Sequence, residues 1–240
     1  MKPLATPLSQ LPHVWRGREL ASAQEQVLPT GHGVLDGHLP GGGWPLGNLV
    51  EVLQQDASRH VWQLLGPALA SAVKQGDPAL LVHPPYQPFG PSLRAQGIAP
   101  ERMLCVHADS MRARLWAAEQ ALRCADVSAV LAWIPQARSE DLRRLHLTAQ
   151  GGQKLLVVFR PASAREQSSP ARLRLLVQGT DQLEVVLLKR RGPPLLQPLV
   201  LRSQTPLLSS LLAARSARRA GTPLPTPGSH VLDRTPSLAG

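Results

Sequence analysis

A chain of 240 residues has room for one α/β domain of about 200 residues and a tail. Its formal charge of +10 is uneven: residues 1–159 carry 14 Lys/Arg against 12 Asp/Glu, and residues 160–240 carry 12 against 4. The basic last third suits nucleic acid or an acidic protein surface, or is simply a solvated tail. Two cysteines, Cys105 and Cys124, read as buried thiols of a reducing cytosol. No apolar run approaches the roughly 18 residues of a membrane span, and Met1-Lys2-Pro3 opens no signal peptide, so the expected location is cytoplasmic. Hydrophobic content is 43% but aromatic content only 3%, so Leu, Val and Ala must fill the core, with the few Trp as anchors.

Residues 1–30 read as an extension, held open by Pro3, Pro7 and Pro12 and carrying a short helix from Val14 to Val27. Thr30–Pro45 reads as a loop plugged by Leu35 and Leu39. His32, Asp36 and His38 lie close enough in sequence to suggest a metal site, but the surrounding glycines favour turn geometry. Asn48–Leu53 is the expected first core strand. His60–Gln75 is the helix on it, with Val61, Leu64, Leu65, Ala68, Leu69 and Ala72 as its apolar face and Pro67 kinking or restarting it.

Alternating units follow. Strands are expected at Ala79–His83, Met103–His107, Ser128–Ile134 and Lys154–Phe159. Helices are expected at Ser92–Gln96, Ser110–Cys124 (with Asp109 as N-cap) and Glu140–Gln150. Continuous apolar strands alternating with helices predict a mostly parallel sheet covered on both faces. Arg172–Val177 and Leu183–Lys189, around Gly179-Thr180-Asp181, predict an antiparallel hairpin at its edge. The core, residues 31–192, is expected to end at Gly192 with no buried strand beyond. In the basic, Pro-rich tail, residues 193–240, Leu207–Ala220 is suited to one amphipathic helix, and disorder is expected from Gly221 onward.

The chemistry expected of such a scaffold is missing. A phosphate loop needs glycines whose backbone N–H groups close on phosphates, a lysine, and a hydroxyl for magnesium. After the strand Asn48–Leu53 the eight equivalent positions read Gln54-Gln55-Asp56-Ala57-Ser58-Arg59-His60-Val61. The strand that should end in a magnesium-binding aspartate ends Ala132-Trp133-Ile134, and the one that should deliver a glutamate ends His83-Pro84-Pro85. ATP hydrolysis is therefore not expected, nor any cofactor, metal or catalytic residue. Glu51 reads as a strand residue, and Trp116 and Trp133 as core packing.

The residues themselves carry a resemblance. Thr30–Gly47, TGHGVLDGHLPGGGWPLG, followed by Val50-Glu51-Val52 resembles the glycine-rich lead-in and V-E-[IV] strand of RecA. Leu115–Arg123, Ala129–Pro135 and Lys189–Gly192 resemble the ImuA family, RecA-like accessory proteins of bacterial translesion synthesis distantly akin to the SulA division inhibitors. The resemblance implies a RecA-like fold with a degenerate Walker A site. It also implies a noncatalytic role in SOS mutagenesis, at the nucleoid during DNA damage. The implied partners are an ImuB-like polymerase relative, an error-prone DNA polymerase III alpha subunit and RecA, with weak or indirect DNA contact. The alternative is a SulA-type inhibitor that binds FtsZ. Candidate contacts are Lys189, Arg190 and Arg191 in the core, and Leu208, Leu211, Leu212, Arg215, Arg218 and Arg219 in the tail. Neither cluster has interleaved aromatics for stacking on bases.

Overall fold

The computed structural model describes residues 26–57, 60–74, 76–179 and 182–201. The expected tail helix with its six candidate contacts, and all of the N-terminal helix before Gln26, lie outside them.

Among the described residues eight strands form one sheet. The central strand, β3 (Asn48–Gln54), runs parallel to β7 (Leu155–Pro161) on one side and β8 (Leu173–Gln178) on the other. Beyond β7 come β6 (Ala129–Trp133), β4 (Ala79–Val82) and β5 (Met103–Val106), all parallel. Beyond β8 come β9 (Leu183–Lys189) and β10 (Leu199–Leu201), each antiparallel to its neighbour. The mostly parallel sheet and the hairpin match expectation, but Gly192 is not the end of the core. β10 buries Leu199 and Leu201 against β9. Its three residues lie among prolines and alternate over too short a span to be marked as a strand by pattern.

Two helical layers cover the sheet. On one face α2 (Val61–Lys74) buries Leu64, Leu65, Ala68 and Leu69 against Val50, Val52, Leu131 and Val157. On the other, α4 (Met111–Arg123) and α5 (Ser139–Ala149) bury Leu115, Ala118, Leu122, Leu142 and Leu145 against Val130, Ala132, Leu156 and Val158. A shorter helix, α3 (Gly90–Ala95), precedes β5. The cap of α4 is Ser110, whose Oγ accepts from the Ala113 N–H at 3.1 Å, not Asp109. The serine satisfies a first-turn donor itself.

The segment read as loop is more ordered than its glycines suggested. It contains α1 (Gly33–Asp36), a 3-10 turn at Pro40–Gly42, and β2 (Trp44–Pro45) paired with β1 (Val27–Leu28). Val27 is therefore in a strand rather than at a helix end. Pro67 explains how this segment docks. Lacking an N–H, it leaves the Gln63 carbonyl without its helical donor. His32 Nε2 sits 3.0 Å from that carbonyl and 3.3 Å from that of Leu64, so the imidazole supplies the missing bond. Gly31, at φ +81°, lies so close that an added Cβ would fall 2.3 Å from Pro67 Cβ, a contact only glycine permits. Asp36 accepts from the Thr30 N–H at 2.9 Å. His32 and Asp36, two of the three residues weighed as a metal site, thus hold the chain in place.

Trp133 is 5% exposed and stacks on Phe159 with centroids 4.5 Å apart, as core packing requires. Trp116 departs from expectation, being 62% exposed. Leu115 and Ala118 already turn the apolar face of α4 inward, and Trp116 falls outside it. Cys105 is half-buried, with burial raising its thiol pKa, while Cys124 is exposed; both are free. No helix among the described residues is long and apolar enough to cross a membrane.

Candidate functional site

Three places concentrate polar chemistry. The first is buried. Glu51, in mid-β3 and fully buried, accepts from Arg160 Nη1 at 2.8 Å through Oε1 and from Arg174 Nε at 2.7 Å through Oε2. Register places Arg174 directly opposite Glu51 on β8, and Arg160 two residues up β7. Each guanidinium then spends further donors on backbone. Arg160 Nη2 bonds the Ala137 carbonyl at 2.9 Å, and Arg174 bonds the carbonyls of Arg165 and Ala164 at 2.9 and 2.7 Å. The carboxylate therefore ties three strands to the turn after β7. An alternating pattern gives no hint of this, because an inward-facing Glu and two Arg look like interruptions of apolar strands.

The second place is a cleft of about 260 Å3 at the carboxyl ends of the parallel strands. Its walls are Gln54, Gln55 and Ala57 at and after the end of β3, His83 and Pro85 after β4, Arg114 from α4, Trp133 and Pro135 at and after the end of β6, and Phe159, Arg160 and Pro161 of β7. In open α/β sheets this edge is where ligands bind. Gln54, His83 and Trp133, at the positions where a phosphate-loop scaffold would carry its phosphate and magnesium chemistry, all line it. His83 adopts φ +52°, a left-handed conformation unusual for a non-glycine residue. Its Nε2 lies 2.7 Å from Arg114 Nη2 and accepts from it. Burial, then Arg114 and His107, push its pKa down against an opposing pull from Asp109. The ring is therefore neutral at pH 7. His60, at φ +63°, reaches the Gly179 carbonyl with Nε2 at 2.7 Å, tying the start of α2 to the end of β8.

The third place is the opposite end of the sheet, where the core candidates Lys189, Arg190 and Arg191 follow β9. Lys189 Nζ donates to the Ser169 carbonyl at 2.9 Å. Arg190 donates to the Pro193 carbonyl at 3.0 and 2.7 Å and also reaches the His38 carbonyl. Arg191 is exposed beside a shallow hollow it shares with Arg172 and Arg190. His146 Nδ1 accepts from the Leu49 N–H at 3.2 Å. Its pKa is lowered by burial first, then by Arg172 and Lys189.

No group of three His, Cys, Asp or Glu among the described residues is placed to hold a metal. Nor do these geometries pair a nucleophile with a base. What sequence reasoning missed is surface as well as interior. Arg112, Trp116, Gln120 and Arg123 are all exposed on α4, at spacings that share one helical face. Treating Trp as a core residue hid that aromatic among cations.

The family model described as "Cell division inhibitor SulA" matches residues 47–155, from the residue before β3 to the first residue of β7. No curated protein matches the chain. Over those residues, which carry the cleft-forming ends of β3, β4 and β6 together with α4 and α5, the chain is similar to the SulA family.

Proposed function

We propose that this protein is a noncatalytic, protein-binding component of the bacterial SOS response with a RecA-like core, and that its role is of the SulA type, restraining cell division by binding FtsZ. The match of residues 47–155 to the division-inhibitor family carries this reading. It is supported by a scaffold whose phosphate loop is replaced by Gln54–Val61, and by the exposed Trp116 flanked by Arg112 and Arg123 within the matched segment. An aromatic with neighbouring cations on a rigid helix is the composition of an interface anchor. Expression in a rod-shaped bacterium should give filaments that septate again when expression stops. Normal division at full expression refutes the reading.

A second reading has its own observation. The sheet continues past the matched residues through β8, β9 and β10, and carries the Lys189–Gly192 block there. That extension suits the translesion accessory role, with an ImuB-like polymerase relative, an error-prone polymerase III alpha subunit and RecA as partners. Capture of the polymerase-like partner without filamentation selects this reading over the first.

A further inference from the structure

We propose that the cleft at the carboxyl end of the sheet is a binding site for a small anionic ligand, a carboxylate or phosphate carried on a ring-sized apolar body, with Arg114 and Arg160 as its charge partners. Three observations carry this, and none depends on the division-inhibitor reading. The cavity of about 260 Å3 holds roughly eight waters' worth of space, and among the described residues it is lined by two guanidiniums and no carboxylate. Arg160 is 4% exposed, yet its Nε is buried without a hydrogen-bond partner. A buried donor left unmade is costly, and a charged one more so. Finally, the charge of one buried cluster does not balance. Glu51 is the carboxylate paired with both Arg160 and Arg174, so one positive charge in that triad is left over next to the cleft. Arg114, leaning on a neutral His83, adds another at the rim.

The remaining wall selects the rest of the ligand. Trp133, Phe159, Pro85 and Pro135 give the cleft an apolar side, against which a flat ring buries its faces while its anionic end meets the arginines. Such a ligand needs neither magnesium nor a backbone phosphate cradle, so the degenerate loop at Gln54–Val61 does not oppose it. Carboxylate and phosphate share this chemistry, and separate probes tell them apart.

The test is calorimetric titration of the full-length chain with phenyl phosphate, benzoate, inorganic phosphate and phenol. The expected result is saturable binding of phenyl phosphate or benzoate at one site per chain, whichever is tighter naming the anion. Binding of inorganic phosphate and of phenol should be weaker by roughly tenfold or more, because each offers half the contact. Arg114→Ala should weaken the ring-bearing anion by roughly tenfold, and Arg114→Lys should restore part of it. Arg143→Ala, an exposed cation on α5, should change nothing. Melting curves show whether each variant is folded. Absence of saturable binding up to about 10 mM of either ring-bearing anion overturns the proposal, as does equal binding by the chain and a folded Arg114→Ala. Magnesium-dependent binding of ATP in the same cleft overturns it in favour of a nucleotide site.

Discussion

At the amino end of the parallel strands, Lys189 and Arg190 bond the backbone carbonyls of Ser169, Pro193 and His38, and Lys189 stays exposed. At the carboxyl end, Arg160 and Arg114 line a cavity, and Arg160 still holds a buried Nε without a partner. A run of basic residues draws the eye in a sequence, yet two of its side chains also bond backbone carbonyls, that of Ser169 ahead of β8 and those of His38 and Pro193. Two arginines 46 positions apart in the chain, neither in any run, form the place with bonding capacity to spare. Unspent donors beside a concavity locate a site.

The largest expected effects probe that contrast directly. Glu51→Ala leaves two buried guanidiniums without their carboxylate and should cost about 3–5 kcal/mol, read as a lower urea midpoint. Arg190→Ala at the amino end, on a half-buried residue bonded to loop carbonyls, should cost only about 1 kcal/mol. Equal losses would mean that the buried triad is no more than another staple. Trp133→Ala should likewise cost about 3–5 kcal/mol, since it removes the stack on Phe159 and a wall of the cleft. Trp116→Ala should stay within about 0.5 kcal/mol of the parent while weakening partner binding in a pulldown. A stability loss from Trp116→Ala matching that of Trp133→Ala would return Trp116 to the core.

Chain truncation sharpens the boundary of the amino end. Ending the chain after Leu201 gives the reference for this comparison. Ending it after Gly192 should lower stability by on the order of 3 kcal/mol, because the buried Leu199 and Leu201 go with β10. Identical melting of the two would show that β10 contributes nothing to the core. The smallest effect is one of pH. His83 and His146 both have pKa values lowered below the ordinary 6.5. In this range the unfolded chain binds more protons than the folded one, so stability rises with pH. Their contribution is fully present above about 6.5 and is lost as pH falls from there through the folded values. Two-temperature melts between pH 8 and 5 should show this loss, and His146→Gln should reduce it. A profile that is flat or rises toward acid contradicts the sign.

Much of the fold was legible because apolar runs of four to seven residues separated by helical periods leave few arrangements. Strands β3 to β9 and helices α2 to α5 fall within a few residues of expectation. Three-residue β10 and two-residue β1 and β2 were not legible, since pairing partners rather than periodicity define them. The site was half legible. The absent lysine and hydroxyl could be read from Gln54–Val61, but a cavity persisting among Gln54, His83 and Trp133 depends on three dimensions. So does the pairing of Glu51 with arginines more than a hundred residues away. His32 was legible as part of a glycine-rich turn, but its bond to the carbonyl that Pro67 leaves open depends on the fold.

The central claim, a partner-binding role of the division-inhibitor type without catalysis, is tested most directly by sedimenting GTP-assembled FtsZ in the presence of the purified chain. The account predicts that polymer in the pellet falls in proportion to added chain, with no nucleotide hydrolysed by the chain itself, and that Trp116→Ala blunts the effect while remaining folded. Undiminished polymer at a molar excess of folded protein would contradict it.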